Sequence, residues 1–266
     1  MNVGVCKDDE SMTNLAYMVR EDWGQHGTAM VSQSAVIREW VGTAPYMFAV
    51  VDARKFATSR PADREAVEFL VGDPSDRSII STIFLPSLKR DRTRVEHPLL
   101  AIHPYEEQDL EAIRSAFNDT LVDRIFVMLW SPADRLRPWL DGCGALNLHT
   151  GRQAQEPDPL MVDAAKMIVG EEYNGLSSGN GKDAVVQLVR AFDRQGYAVD
   201  VNAWLRAYFA AGGSFRHSES ISKLITEMAA GVRHRVKPRY RDDIFEVLSD
   251  RASGVTTEPE YETTDG

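Results

Sequence analysis

The sequence lacks most of the features that mark a known chemistry. Its only two cysteines, Cys6 and Cys143, form no Cys-x-x-Cys pair, so neither a disulfide framework nor a thiolate zinc site is expected. No run of eighteen apolar residues occurs, and the first residues lack the apolar core of a signal peptide. No Gly-x-Ser-x-Gly elbow or Gly-x-Gly-x-x-Gly loop is present. We therefore expect a cytoplasmic protein with reduced thiols and no contact with a membrane.

The sequence does contain an uneven distribution of charge within a formal net charge of −10. Residues 1–159 carry 17 Lys and Arg against 24 Asp and Glu, whereas residues 160–253 carry 13 against 12. Residues 214–241 carry seven Lys and Arg against two acidic residues, a local charge of +5. A basic stretch on an acidic chain indicates contact with an acidic partner. Nucleic acid and an acidic protein surface are the two partners that we expect, while the oligomeric state stays open.

Apolar runs that alternate with helical patterns predict an α/β domain over residues 1–150. The runs predict strands at Met47–Val51, Ser78–Leu85, Leu99–Ile102, Ile125–Trp130 and Ala145–His149. Because these runs are continuous, each strand is expected to bury both faces, which is typical of a mostly parallel sheet of about five strands with flanking helices. The first fifty residues show apolar residues at helical spacing, including Leu15, Met18, Val19 and Trp23, and are predicted to be helical.

The second half of the chain predicts only helices. A polar stretch with two prolines, residues 150–159, is the expected linker. Helical patterns bounded by caps and glycines follow, at residues 160–173, 182–195, 200–211, 218–230 and 242–251. These predict a separate all-helical domain over residues 158–252. The last residues, 253–266, are polar and acidic and are expected to be disordered.

Within this half, three short helices precede a basic stretch, which is the element order of a winged helix-turn-helix module. Residues 218–230 take the place of the recognition helix, with Ser218 on its outward face. Residues 231–237 are predicted to form a strand, in which alternation places the cations on one side. The candidate nucleic-acid-binding residues are Arg216, Lys223, Arg233, Arg235, Lys237, Arg239 and Arg241.

Two features oppose a winged helix-turn-helix module. Pro238 ends the predicted strand and no second wing strand follows, while Glu219 and Glu227 lie on the supposed recognition helix. The alternative is a small helical bundle with a solvated basic edge. The leading hypothesis is nevertheless a non-enzymatic accessory or regulatory protein that contacts nucleic acid, and a protein–protein interaction module is a further alternative.

The competing hypothesis is a small-molecule enzyme that acts on a phosphorylated or carboxylated ligand. In open α/β sheets, ligands bind beyond the carboxyl ends of parallel strands. Side chains suited to acid–base chemistry lie at the predicted strand ends, or begin the helix that follows: Asp52, His103, Ser131 and His149. Their spacing matches no metal or nucleophile motif, so no metal site and no cofactor are predicted. Whether the protein is an enzyme stays open at this point.

Overall fold

A computed structural model of the chain describes residues 14–21, 28–42, 46–59, 61–71, 78–90, 98–119 and 121–253. The chain divides into two compact units: unit 1 comprises residues 1–155 and unit 2 residues 156–266. Within the described ranges, no helix is both long enough and apolar enough to cross a membrane. Apart from Ser253, the predicted acidic tail lies outside the described residues.

Unit 1 is built on one mostly parallel sheet, which confirms the α/β class. Its described strands, in chain order, are β1 (Leu15–Val19), β2 (Met47–Val50), β3 (Ser78–Ser81), β4 (Leu99–Ile102), β5 (Ile125–Leu129), β6 (Leu146–Asn147) and β7 (Arg152–Gln153). They are ordered β3-β2-β4-β5-β1-β6-β7. Each neighbouring pair is parallel except β6 and β7. The described sheet therefore has seven strands instead of about five.

Helices lie between these strands along the chain. They are α1 (Thr28–Val41), α2 (Ala53–Ser59), α3 (Pro61–Val71), α4 (Leu85–Arg90), α5 (Glu107–Asn118) and α6 (Arg137–Gly142). The chain moves towards one edge of the sheet from β1 to β3, and towards the other edge from β3 to β6. Because such crossovers are right-handed, α1 to α3 belong on one face and α4 to α6 on the other.

Packing on the two faces agrees with this assignment. Phe48 of β2 and Phe126 of β5 belong to a buried cluster that also contains Ile37 of α1 and Val67 of α3. Tyr17 of β1 has the opposite parity, and its hydroxyl donates to Asp141 of α6 at 2.8 Å. The four strands β1, β2, β4 and β5 thus contribute alternate side chains to two apolar layers, which is why their sequences are continuously apolar.

The helix predicted across the first apolar residues is wrong where the structure describes them. Leu15–Val19 forms β1, which pairs with β5 on one side and β6 on the other. Four of its five residues are buried, and a short apolar run of this kind fits a helix and a fully buried strand equally well. Trp23 lies outside the described residues. The strand predicted over 78–85 is also too long, because it ends at Ser81 and a 3-10 turn follows.

Unit 2 contains α7 (Pro159–Val169), α8 (Gly179–Arg194), α9 (Val201–Ala210), α10 (Phe215–Ala229) and α11 (Ile244–Ala252), with a 3-10 turn at Glu172–Asn174. Across residues 156–253 the structure shows no strand. The predicted helices are confirmed in place, within a few residues at their ends. Their assembly into a separate all-helical domain over 158–252 stays a prediction.

Local chemistry determines where these helices begin. Before α7, the Asp158 carboxylate accepts hydrogen bonds from the backbone N–H groups of Leu160 and Met161, and Pro159 occupies the first turn. Before α9, Asp200 accepts from the N–H of Ala203 at 2.6 Å. Between α9 and α10 the Tyr208 ring lies against Gly213, where a Cβ atom would be 2.3 Å from the ring. Only glycine fits that turn.

Candidate functional site

The candidate site in unit 2 is the stretch that follows α10, residues 232–239, which we call the basic segment. It has no regular secondary structure and pairs with no strand in the described chain, so the predicted strand over 231–237 is wrong. Gly231 ends α10 at a φ of 84°, with its N–H bonded to Met228 O and that of Val232 to Glu227 O. This Schellman cap turns the chain away from the helix axis. Pro238 then disfavours helical backbone at the preceding residue.

The basic segment has no neighbouring strand to bond its backbone, and side chains of α8 form hydrogen bonds with it instead. Arg190 of α8 donates to the carbonyl of His234 at 2.7 Å. Gln187, one turn earlier on α8, accepts through Oε1 from the N–H groups of Arg239 at 2.5 Å and Tyr240 at 3.0 Å. These bonds fix the backbone at both ends of the basic segment.

The bracing gives the basic segment two distinct sides. His234 and Val236 are half-buried, and His234 Nε2 lies 3.3 Å from a carboxylate oxygen of Glu227. Arg233, Arg235 and Lys237 are exposed, and we call them the three outward cations. The alternation expected of a strand is therefore present without any sheet.

The three outward cations are not neutralised by any of the residues that the structure describes. In the described structure no ion pair is shown for Arg233, Arg235 or Lys237. The same holds for Arg216 and Lys223, which lie exposed on α10. Exposed cations without a carboxylate neighbour keep their full field for an external anion.

The remaining two candidates, Arg239 and Arg241, are engaged within the fold. Arg239 donates through Nε and a terminal nitrogen to Oε1 of Glu171, at 3.0 and 2.6 Å. Arg241 forms a two-point contact with Asp243, at 2.9 and 2.6 Å. These hydrogen bonds raise the pKa of both arginines. The sequence groups all seven cations together, whereas the structure separates five without an ion pair from two that anchor the chain.

The helix-turn-helix interpretation stays a prediction. A four-residue connection, 211–214, joins α9 to α10, as in that motif. Ser218, however, is buried and its hydroxyl donates to Phe215 O at 2.9 Å, so its predicted outward position is wrong. With Glu219 also exposed on α10, that helix presents mixed charge.

In unit 1, the four residues of the enzyme hypothesis lie at the carboxyl edge of the sheet but in different surroundings. Asp52 follows β2 and accepts through Oδ1 from the N–H groups of Arg54 and Lys55. Ser131 is exposed beyond β5. His149 donates from Nε2 to Val19 O at 2.8 Å.

His103 differs from the other three because its side chain is fully buried. It follows β4 with a φ of 45°. Its ring contacts α3, whereas strict alternation along β4 would place residue 103 on the opposite face of the sheet. Its Nδ1 lies 2.7 Å from Oδ1 of Asp63 on α3, and the two side chains are 0% and 3% exposed. Since a carboxylate only accepts hydrogen bonds, Nδ1 carries the proton in this pair. Burial is the main cause that lowers the pKa of His103, so the imidazole is neutral.

A second buried charge lies close to this pair. The guanidinium of Arg20, which follows β1 and is 1% exposed, forms an ion pair with Glu65 of α3. Arg20 and Asp134 both act electrostatically on the pKa of His103, and burial raises the pKa of Asp134. The ring of Trp130 lies 4.3 Å from that of His103. Sequence reasoning missed Asp63, Glu65 and Arg20, because their partners are 40 or more residues away.

The described residues contain no group of three or more His, Cys, Asp or Glu arranged to hold a metal ion. Comparison with known proteins found no match to a family model, to a curated protein or to a solved structure. The functional interpretation therefore depends on the geometry of the two units.

Proposed function

We propose that unit 2 binds nucleic acid through the three outward cations, and that the protein is an accessory or regulatory binder. The observation that carries this proposal is that Arg233, Arg235 and Lys237 lie exposed, with no ion pair shown, on a backbone held by α8. Cations held on a fixed backbone lose less conformational entropy on binding than cations on a mobile tail.

The spacing of these cations favours a linear polyanion over an acidic protein surface. In a fully extended chain, side chains two residues apart are about 6.6 Å apart, so three cations at alternate positions span at most about 13 Å. A nucleic acid strand presents one negative charge per about 3.4 Å of its length. Contacts of this kind are to phosphates and read no sequence.

An exposed aromatic residue beside the basic segment favours single strands as the partner. Tyr173, in the 3-10 turn after α7, is 79% exposed. Glu171, two residues before it, bonds the guanidinium of Arg239, and Tyr173 itself acts on the pKa of Arg239. Tyr173 is therefore within electrostatic range of the arginine at the end of the basic segment. Unpaired bases stack on such rings, whereas bases within a duplex do not present their faces.

The test is a fluorescence anisotropy titration of fluorescein-labelled 20-nucleotide DNA, single-stranded and duplex, at low salt. The test variant combines Arg233→Ala, Arg235→Ala and Lys237→Ala. The matched control combines Arg38→Ala, Arg64→Ala and Lys166→Ala, which removes the same charge from exposed residues outside the basic segment. Arg64 and Lys166 are ion-paired with Glu68 and Asp163. We expect the test variant to lose at least tenfold in affinity and the control less than twofold.

Two results would overturn the proposal. One is the absence of binding to either oligonucleotide at low salt by the folded wild-type protein. The other is an equal loss in the two triple variants, which would show that affinity follows net charge alone. If an acidic protein, rather than DNA, is bound with loss in the test variant only, the interaction-module alternative replaces nucleic-acid binding.

We propose no catalysis at Asp52, His103, Ser131 and His149. The His103 side chain is 0% exposed, so a substrate has no access to its ring. Asp52 Oδ1 and His149 Nε2 are hydrogen-bonded to backbone groups of the protein.

A further inference from the structure

Unit 1 contains a cleft of about 520 Å³ that the proposed nucleic-acid binding does not use. Its walls are the residues after β2, the residues after β3 and the start of α5. At this point the chain leaves β2 towards β3 and leaves β4 in the opposite direction, towards β5. Such a divergence opens a crevice at the carboxyl edge of a parallel sheet, where ligands of α/β proteins bind.

The three walls of the cleft are linked to one another by hydrogen bonds. Ser81, at the end of β3, accepts through its hydroxyl from the N–H of Ala53 at 2.8 Å, which joins the first two walls. The Thr82 hydroxyl donates to the buried carboxylate of Asp109 on α5, which joins the second to the third. The cleft is therefore formed before any ligand arrives, and little conformational entropy is lost on binding.

The lining of the cleft divides into apolar and polar sides. Ile83 and Phe84 line it and are 46% and 54% exposed, an unusual exposure for adjacent large apolar side chains. Arg54 and Lys55 contribute positive charge. For Arg54, the described structure shows no ion pair with a carboxylate. Glu106 brings a carboxylate to the third wall, where the Gln108 amide donates to it at 3.1 Å.

These features match the three parts of one class of small molecule. A flat base stacks on an aromatic ring such as Phe84, a phosphate is bound by a guanidinium such as that of Arg54, and an acidic side chain accepts from ribose hydroxyls. The volume lies within the range of about 300 to 1,000 Å³ that is usual for small-molecule sites. We propose that this cleft binds a nucleoside monophosphate.

Isothermal titration calorimetry tests this site with four probes: AMP, UMP, adenosine and inorganic phosphate. All titrations use the full chain carrying Arg233→Ala, Arg235→Ala and Lys237→Ala, so that unit 2 does not contribute phosphate contacts. We expect AMP and UMP to bind, and adenosine and phosphate each to bind at least tenfold more weakly, because adenosine lacks the phosphate contact and inorganic phosphate lacks the base and ribose contacts.

Two further substitutions assign the contacts. Arg54→Gln is expected to lower the affinity for AMP about tenfold and to leave the affinity for adenosine unchanged. Phe84→Ala is expected to lower the affinities for AMP and for adenosine by the same factor. Arg64→Gln on α3, outside the lining, is the matched control and is expected to leave all four probes unchanged. The thermal melting curve of each variant confirms that it is folded.

Three outcomes would overturn the inference: no heat of binding with either nucleotide at millimolar concentration, equal affinity for AMP and inorganic phosphate, or an AMP affinity that Arg54→Gln and Phe84→Ala leave unchanged. Each concerns unit 1 alone, so the inference fails or stands separately from nucleic-acid binding by unit 2.

Discussion

The sheet edge of unit 1 and the basic segment of unit 2 hold charged side chains in contrasting surroundings. In unit 1, Asp63, His103 and Arg20 are buried at the sheet edge, and each has a partner: Asp63 and His103 contact each other, and Arg20 forms an ion pair with the half-buried Glu65. In unit 2, the outward cations of the basic segment are exposed and no ion pair is shown for them. Removing a charge from water is expensive unless it is paired, whereas an exposed charge needs no partner.

This difference shows which charges can be read as binding residues. A paired and buried group is explained by the fold that surrounds it. A row of exposed like charges is not, because its members repel one another and contribute little to folding. The same distinction applies inside unit 2. Arg239 forms an ion pair with Glu171, whereas no ion pair is shown in the described structure for Lys237, two residues earlier.

The largest expected effect is the loss of the buried pair. His103→Ala leaves the buried Asp63 carboxylate without the imidazole N–H that donates to it, and a buried charged group that loses its hydrogen-bond donor costs about 3 kcal/mol. Lys166→Ala breaks an exposed pair with Asp163 and should cost less than about 1 kcal/mol. Urea unfolding of both variants measures the difference. Equal destabilisation would remove the contrast between the two units.

Removing the exposed ring is the next effect in size. Tyr173→Ala should weaken the binding of single-stranded DNA by about 1 kcal/mol, within the range for a stacked base, and leave the binding of duplex DNA unchanged. Tyr105→Ala removes another exposed tyrosine, 43% exposed in unit 1, and is expected to change neither affinity. Anisotropy titrations with the four protein–DNA combinations check this. An equal loss for single strands and duplex would exclude base stacking.

The smallest effect concerns pH. Because burial lowers the pKa of His103 in the folded protein, the unfolded chain binds a proton more readily, with a pKa of about 6.5. The contribution to stability is therefore present above about pH 6.5 and is lost as the pH falls towards the folded pKa, with a slope of at most about 1.4 kcal/mol per pH unit.

The variant His103→Gln isolates this titration, since glutamine does not ionise. Free energies of unfolding measured from pH 8 to pH 5 should fall more steeply for the wild type than for the variant. Parallel curves would mean that His103 does not titrate as a buried neutral group.

The sequence predicts most of the longer strands of the sheet but misses β1, and it does not give the order of the strands. Continuous runs such as Leu99–Ile102 are read correctly because a strand buried on both faces has no polar positions. The run Leu15–Val19 is also continuously apolar, but its apolar residues fit helical spacing as well. It is therefore predicted as a helix, whereas in the structure it is a strand between β5 and β6. Only the pairing of distant segments decides between these alternatives.

The candidate sites show the same limit. Alternation along the basic segment is readable from its residues, because every second side chain is cationic. What the sequence does not reveal is that α8, and not a second wing strand, holds the segment. It also does not reveal that Glu171, 68 residues before Arg239, neutralises that arginine.

The measurement that tests the central claim most directly is the salt dependence of single-strand binding by the wild type and by the variant that lacks the three outward cations. Each phosphate contact contributes about 0.7 to the slope of log affinity against log salt concentration for single strands. Loss of three contacts should therefore reduce the slope by about 2, while the matched control variant keeps the wild-type slope. Identical slopes for the wild type and the variant without the three outward cations would contradict the account.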